Sequence, residues 1–159
     1  MLRKIALALL ALAVVIQLVP YGRGHSNPPV TGEPVWNGPE TRATFQRVCA
    51  NCHSNETTWP WYSHIAPVSW LVQHDVDEGR AEFNVSHADV GKDADDAAKM
   101  VLKNRMPPKI YLVGHPEARL TDDERRAFAV GLDATFGEGR AHGGDETESM
   151  REKAGYLDP

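Results

Sequence analysis

Both cysteines of the chain lie in Cys49-Ala50-Asn51-Cys52-His53, three residues apart, and a histidine directly follows the second. On a helix Cys49 and Cys52 stand at i and i+3, with His53 at i+4 from Cys49. The three side chains then share one face within about one turn. Two thiols and an imidazole in that arrangement can close a disulfide, ligate a metal ion, cycle as a dithiol, or hold a haem. In a haem site each thiol joins a porphyrin vinyl group and the imidazole reaches the iron. A structural zinc site wants four ligands, and the other histidines (25, 64, 74, 87, 115 and 142) include no H-x3-5-H pair. A thioredoxin-like dithiol wants a βαβ setting, and no strand pattern precedes the motif. A disulfide between i and i+3 closes a loop too small to stabilise much. C-x-x-C-H therefore points to haem c held covalently by Cys49 and Cys52, with His53 as an axial iron ligand.

The chain before the motif divides in two. Arg3 and Lys4 precede an apolar run from Ile5 to Val19 broken only by Gln17, the pattern of an export signal. Fifteen helical residues span about 22 Å, short of the roughly 30 Å hydrocarbon core, which suits a cleaved signal peptide. No A-x-A-like cleavage site follows, however, which favours an uncleaved membrane anchor over residues 1–21, with residues 5–20 in the bilayer. Either reading puts the body outside the cytoplasm, in the bacterial cell envelope facing the periplasm. Residues 22–38, rich in Gly, Pro, Asn and Ser, read as an extended spacer in which Trp36 is a packing anchor.

The body, residues 39–137, reads as a small all-α domain of about four helices. Pro39 suits the first position of a helix that carries Thr41, Phe45, Val48, Cys49 and Cys52 near one stripe. Residues 54–66 form an aromatic-rich loop interrupted by Pro60. A second helix runs from Pro67 to Glu78, burying Val68, Leu71, Val72 and Val76, with Gly79 as its stop. A third, capped near Asp93, aligns Ala97, Ala98, Val101 and Leu102 and ends by Arg105 or Met106, ahead of Pro107. In the fourth, Thr121-Asp-Asp-Glu124 is a capping box before Phe128, Leu132 and Phe136, and Gly137 ends it. Residues 138–159 read as a disordered polar tail. Helices this short bury a modest core, and a large apolar cofactor would supply what the side chains lack.

The formal net charge is -5, and the basic start makes the remainder more acidic still. An acidic body argues against nucleic-acid binding, which needs a basic face, and suits contact with a basic partner. No G-x-S-x-G, P-loop or G-x-G-x-x-G motif appears, so no catalytic residue is assigned and the chain reads as an electron carrier rather than an enzyme. Asn55-Glu-Thr57 and Asn84-Val-Ser86 match N-x-[ST], but a glycan at Asn55 would crowd His53.

The segments NPPVTGEPVWNGPET, CANCHSNETTWPWYSHIAPVSWL, DVDEGRAEFNVS and NRMPPKIYLVGHPEARLTDDER occur in that order. From about Asn27 to Phe136 the chain resembles the haem-binding domain family of small exported bacterial monohaem c-type cytochromes. The resemblance implies one covalent haem, a cytochrome c-like fold and an envelope location. For the iron's other face, methionine, histidine and lysine are the candidate types. Met106 precedes Pro107-Pro108, which stiffen the segment presenting it, and the stretch looks like the Met-Pro ligand loop of small c-type cytochromes. Met106 is therefore the expected sixth ligand, ahead of His74, His115, His64 and Lys109. Trp59, Trp61, Tyr62 and Trp70 are expected to pack against the haem, and Arg80 and Tyr111 are candidates to bond its propionates. A Met/His-ligated iron implies electron transfer with redox partner proteins of the envelope. A sensor or peroxidase-like haem with a weakly held sixth ligand is the alternative.

Overall fold

The computed structural model describes residues 1–137, and their regular structure is all helical. The helices are α1 (Leu2–Ile16), α2 (Pro39–Val48), α3 (Ala50–His53), α4 (Val68–Glu82), α5 (Ala97–Leu102), α6 (Tyr111–Gly114) and α7 (Asp122–Phe136). Short 3-10 turns lie at Trp61–His64, Lys92–Asp96 and Pro116–Ala118. The polar tail, residues 138–159, lies outside the described residues.

Helix α2 begins at Pro39, whose missing N–H costs nothing at a helix start. It stops at Val48, because Cys49 leaves helical geometry (φ -121°, ψ -29°). Helix α3 restarts from there: the N–H groups of Cys52 and His53 both donate to the Cys49 carbonyl, at 3.1 and 3.0 Å. The cysteine–histidine motif thus occupies its own short turn, not the continuous helix that the spacing predicts.

Helix α4 continues through Gly79, the expected stop, to Glu82. A Cβ at Gly79 would lie 2.6 Å from the Cys52 carbonyl oxygen and 2.8 Å from the Cys52 Cβ. The glycine is there because the α4 backbone packs directly on α3. That contact orients α4 so that Ser69, Val76 and Gly79 are buried. Val68 and Leu71, expected in the core, are turned outward at 42% and 45% exposure.

Helix α5 also ends early, at Leu102. Asn104 adopts the left-handed region at φ 55°, which asparagine tolerates better than most residues. Its N–H donates to the Val101 carbonyl and that of Arg105 to the Met100 carbonyl, each at 3.0 Å, closing the helix with a Schellman pair. The Met106 N–H reaches the same Met100 carbonyl at 3.2 Å, so the chain folds back over α5 before entering Pro107-Pro108. The Ala66–Pro67 and Met106–Pro107 peptide bonds are cis.

Helix α7 matches its sequence signature. Thr121 Oγ1 accepts from the Glu124 N–H at 3.2 Å, and the Glu124 carboxylate accepts from the Thr121 N–H at 2.8 Å. Phe128 and Leu132 are buried with Phe45, Val48, Phe83, Val101 and Ala129 in one core, and Phe136 packs on its edge. Trp36 is a packing anchor as expected, with its ring 5.0 Å from Phe45 and 5.7 Å from Phe136.

Residues 22–38 do not hang free. Thr31 and Gly32 donate their N–H groups to the Ser86 carbonyl, Asn27 Nδ2 donates to the Thr57 carbonyl, and the Pro29 carbonyl accepts from Asn55 Nδ2. The expected spacer is a strap bound across the loops that flank α3 and α4. The asparagines of both N-x-[ST] matches are buried, and Asn84 Nδ2 donates to Asn55 Oδ1 at 2.8 Å, so each serves packing.

Helix α1 covers the segment expected as a signal peptide or membrane anchor. Helix α1 has 15 residues, and no described helix is long and apolar enough to cross a membrane. Its apolar side chains are exposed except for the half-buried Ile16, and none of its residues is buried. The link to the body runs through Gln17, whose amide donates to the Ala66 carbonyl and accepts the Ala66 N–H.

Two outcomes follow from these contacts. Gly79→Ala forces α4 away from Cys52 and should cost about 1–3 kcal/mol in denaturant unfolding; an unchanged midpoint would contradict the close contact. Thr121→Ala should cost about 1 kcal/mol through loss of the cap. The bonds from Thr121 hold the Glu124 carboxyl below its usual range. The stability it adds is present above the unfolded-state value and fades as the pH falls through the lowered one. Urea titrations across acidic pH should show this dependence in the parent and lose it in Glu124→Gln.

Candidate functional site

One cavity of about 440 Å³ opens between α2, α3, α4, α5 and the chain that follows α5. That volume lies in the range of small-ligand and cofactor sites. Its walls are largely apolar, with Phe45, Val48, Phe83, Ala97, Val101, Leu132, Pro107 and Pro108 among the bordering residues. Cys49, Cys52, His53 and Met106 all border it. Cys49, Cys52, His53 and Met106 are thus brought to one cavity, although 53 positions separate His53 from Met106.

His53 is held for a defined role. Its ring stacks on Phe83, centroids 4.1 Å apart and planes inclined by 17°. Nδ1 lies 3.3 Å from the Phe83 carbonyl oxygen, and a carbonyl has no proton to give, so Nδ1 is the donor. The proton therefore sits on Nδ1 and leaves Nε2 with its lone pair free. Burial lowers the His53 pKa, opposed by backbone hydrogen bonds to Phe83 and Gly79, so the neutral imidazole prevails near neutral pH. The Val85 N–H also donates to the His53 carbonyl at 3.0 Å, which ties the residue to the loop after α4. A neutral, oriented imidazole of fixed tautomer is what an iron ligand requires.

Both thiols are free. Desolvation pushes Cys52 up to about 11, with the Asp75 carboxylate adding to the effect and Arg80 opposing it. Desolvation, and then Cys52, raises Cys49 as well. Such thiols stay protonated at neutral pH, the opposite of the depressed thiol in a dithiol oxidoreductase. Among the described residues, no group of three or more His, Cys, Asp or Glu could hold a metal ion. An apolar cavity bordered by two thiols, one neutral imidazole and a thioether fits a haem.

The other candidate sixth ligands, His64, His74, His115 and Lys109, do not border the cavity. His115 bonds Tyr62 and Glu117 instead, and His64 meets His25 edge-on at 4.4 Å. Met100, set within its helix by the sequence, does border the cavity beside Met106. No sequence signal separated it from a core methionine.

The aromatic residues correct an expectation: none of Trp59, Trp61, Tyr62 and Trp70 borders the cavity. Trp59 stacks on His25 at 4.5 Å, Tyr62 bonds His115, and Trp61 is 74% exposed. The 3-10 turn that carries Trp61 and Tyr62 packs on α4, which carries Trp70. Arg80 likewise serves the fold, donating to the carbonyls of Ser54 and Ser26 and to Asn27 Oδ1 and Thr57 Oγ1. Tyr111 does border the cavity, and its hydroxyl accepts from Asn51 Nδ2 at 2.9 Å.

The sequence did not reveal the charge at the cavity. Asp75, Glu78 and Glu82 of α4 and Asp93 and Asp96 of the turn before α5 border it. Burial raises the Asp75 pKa. The i, i+3, i+7 spacing on α4 was a readable sign of one acidic face.

No curated protein and no solved structure matches the chain. The sequence model of the haem-binding domain family matches residues 11–133, a span that holds every residue bordering the cavity, and the protein belongs to that family as a haem-binding domain.

Proposed function

We propose that the protein is a monohaem c-type cytochrome that carries electrons in the bacterial cell envelope. One observation carries the reading: both cysteines, His53 and Met106 border a single apolar cavity. Cys49 and Cys52 would hold one haem through two thioethers, His53 Nε2 would take one axial position of the iron, and the Met106 thioether the other. When bound, haem supplies a one-electron Fe(II)/Fe(III) couple.

The chain's own residues set the conditions for that couple. Phe45, Val48, Phe83, Val101 and Leu132 exclude water from one side. The Phe83 carbonyl holds the His53 ring through Nδ1–H, which raises the basicity of the coordinating nitrogen. A Met/His pair raises the potential, while the nearby carboxylates favour the ferric state and lower it. With both axial positions filled no substrate site remains, so the proposal is a carrier and not a catalyst. The carboxylates Asp75, Glu78, Glu82, Asp93 and Asp96 favour a redox partner with a basic face, since complementary charge speeds encounter. Export would follow from the apolar segment behind Arg3 and Lys4.

A second reading has one observation in its favour. Met106 is 37% exposed at the cavity edge, so a weakly held thioether would leave room for a gas or peroxide.

The protein purified from a host competent in haem attachment should keep its haem stain after denaturing electrophoresis. Cys49→Ala with Cys52→Ala should abolish that stain, and a stain-free parent would end both haem c readings. The ferric parent should be low-spin, and Met106→Ala should make it high-spin. A parent already high-spin, and unchanged by Met106→Ala, would favour the sensor or peroxidase-like reading over the carrier.

A further inference from the structure

The segment that carries Met106 is anchored at both ends. At its start, the Met106 N–H is bound to the Met100 carbonyl of α5 at 3.2 Å. Pro107 and Pro108 follow, each with φ fixed by its ring, and the Leu112 N–H closes on the Pro108 carbonyl at 3.3 Å. At its end stands Tyr111, five positions after Met106. Its hydroxyl accepts a hydrogen bond from Asn51 Nδ2 at 2.9 Å. Asn51 lies between the two cysteines and two positions before His53. This bond therefore runs directly from the turn that bears the cysteines and His53 to the segment that bears Met106.

Both partners are committed to it. Asn51 is aimed by its other amide atom, since Oδ1 accepts the Thr58 N–H at 2.9 Å. The Tyr111 ring stacks on His115, centroids 4.1 Å apart and planes inclined by 12°. Tyr111 borders the cavity alongside Met106, so the bond lies at the cavity edge.

We propose that the Asn51–Tyr111 hydrogen bond is a tether that holds the Met106 segment against the cysteine–histidine turn and keeps the thioether on the iron, with Tyr111 as a positioning residue. This inference rests on the ligation of iron by Met106 proposed above. A pre-positioned segment loses little freedom when its sulfur binds, whereas a loosened one lets the sulfur leave more often. The turn that follows has a separate anchor, since Arg47 donates to the Glu117 carbonyl at 2.6 Å.

Carbon monoxide reads the tether directly. It binds ferrous haem only at an open axial position, so at saturating concentration its binding rate reports how often Met106 leaves. The comparison uses full-length holoprotein as parent, Met106→Ala, Tyr111→Phe, Asn51→Ala, and the Asn51→Ala/Tyr111→Phe pair. Met106→Ala sets the rate of an open site. Tyr111→Phe keeps the ring and its stack on His115 and should bind carbon monoxide about fivefold faster than the parent, the effect of one hydrogen bond. In the Asn51→Ala background the same substitution should change nothing, because its partner is already gone. Haem staining and the unfolding midpoint should stay near the parent's in Tyr111→Phe. A slow parent, a fast Met106→Ala and an unaltered Tyr111→Phe would overturn the tether and leave Met106 ligation standing. A parent as fast as Met106→Ala would overturn both. A fivefold effect of Tyr111→Phe that persists in the Asn51→Ala background would overturn the Asn51 bond as its cause.

Discussion

The backbone of α4 lies directly on the cysteine–histidine turn at Gly79, and the geometry of the site follows from that contact. With α4 this close to α3, its C-terminal end delivers Phe83 to the face of the His53 ring and the Phe83 carbonyl to Nδ1. Arg80, one position past Gly79, reaches the carbonyl that follows the motif at Ser54. The Val85 N–H then takes the His53 carbonyl. A side chain at 79 would separate these partners together, because they are spaced along one helix end and its exit loop. The short α3, which has too few residues to be stable alone, is held by its neighbours rather than by its own helical bonds.

The cavity opposes two kinds of surface. Its walls are largely apolar, and besides carboxylates the groups that border it include two protonated thiols, one neutral imidazole, two thioethers and a tyrosine bound to Asn51. Carboxylates from α4 and the turn before α5 add negative charge at its border. If Met106 ligates the iron as proposed, the carboxylates would disfavour added electrons on the haem while the methionine would favour them. The two influences act from different elements, so each is adjustable without disturbing the other.

Much of the architecture was legible because its signals are local. The capping box at Thr121–Glu124, the proline start of α2 and the chemistry of C-x-x-C-H depend on residues within one turn of each other. The signals that misled were equally local but lost to packing. Gly79 has the composition of a helix stop and functions as a contact surface. Val68 and Leu71 have the spacing of a buried stripe, but the Gly79 contact turns the helix so that Ser69 faces inward beside Val76, the one of that stripe fully buried. The tryptophans near the motif were adjacent in sequence and so seemed adjacent in space. The turn at Trp61–His64 sends them elsewhere.

The sequence by itself pointed to haem, which the family match supports, since thiol, thiol and imidazole at fixed offsets on one turn need no distant partner. It also determined that the body is helical, through periodicity and caps that act over a few residues. Only the tertiary structure decided which residues complete the site. Met106, Met100, Tyr111, Phe83 and the carboxylates of α4 reach one cavity from separate elements. Their convergence depends on a Schellman closure at Asn104 and a side-chain-free contact at Gly79, neither of which has a local signature that names its distant partner.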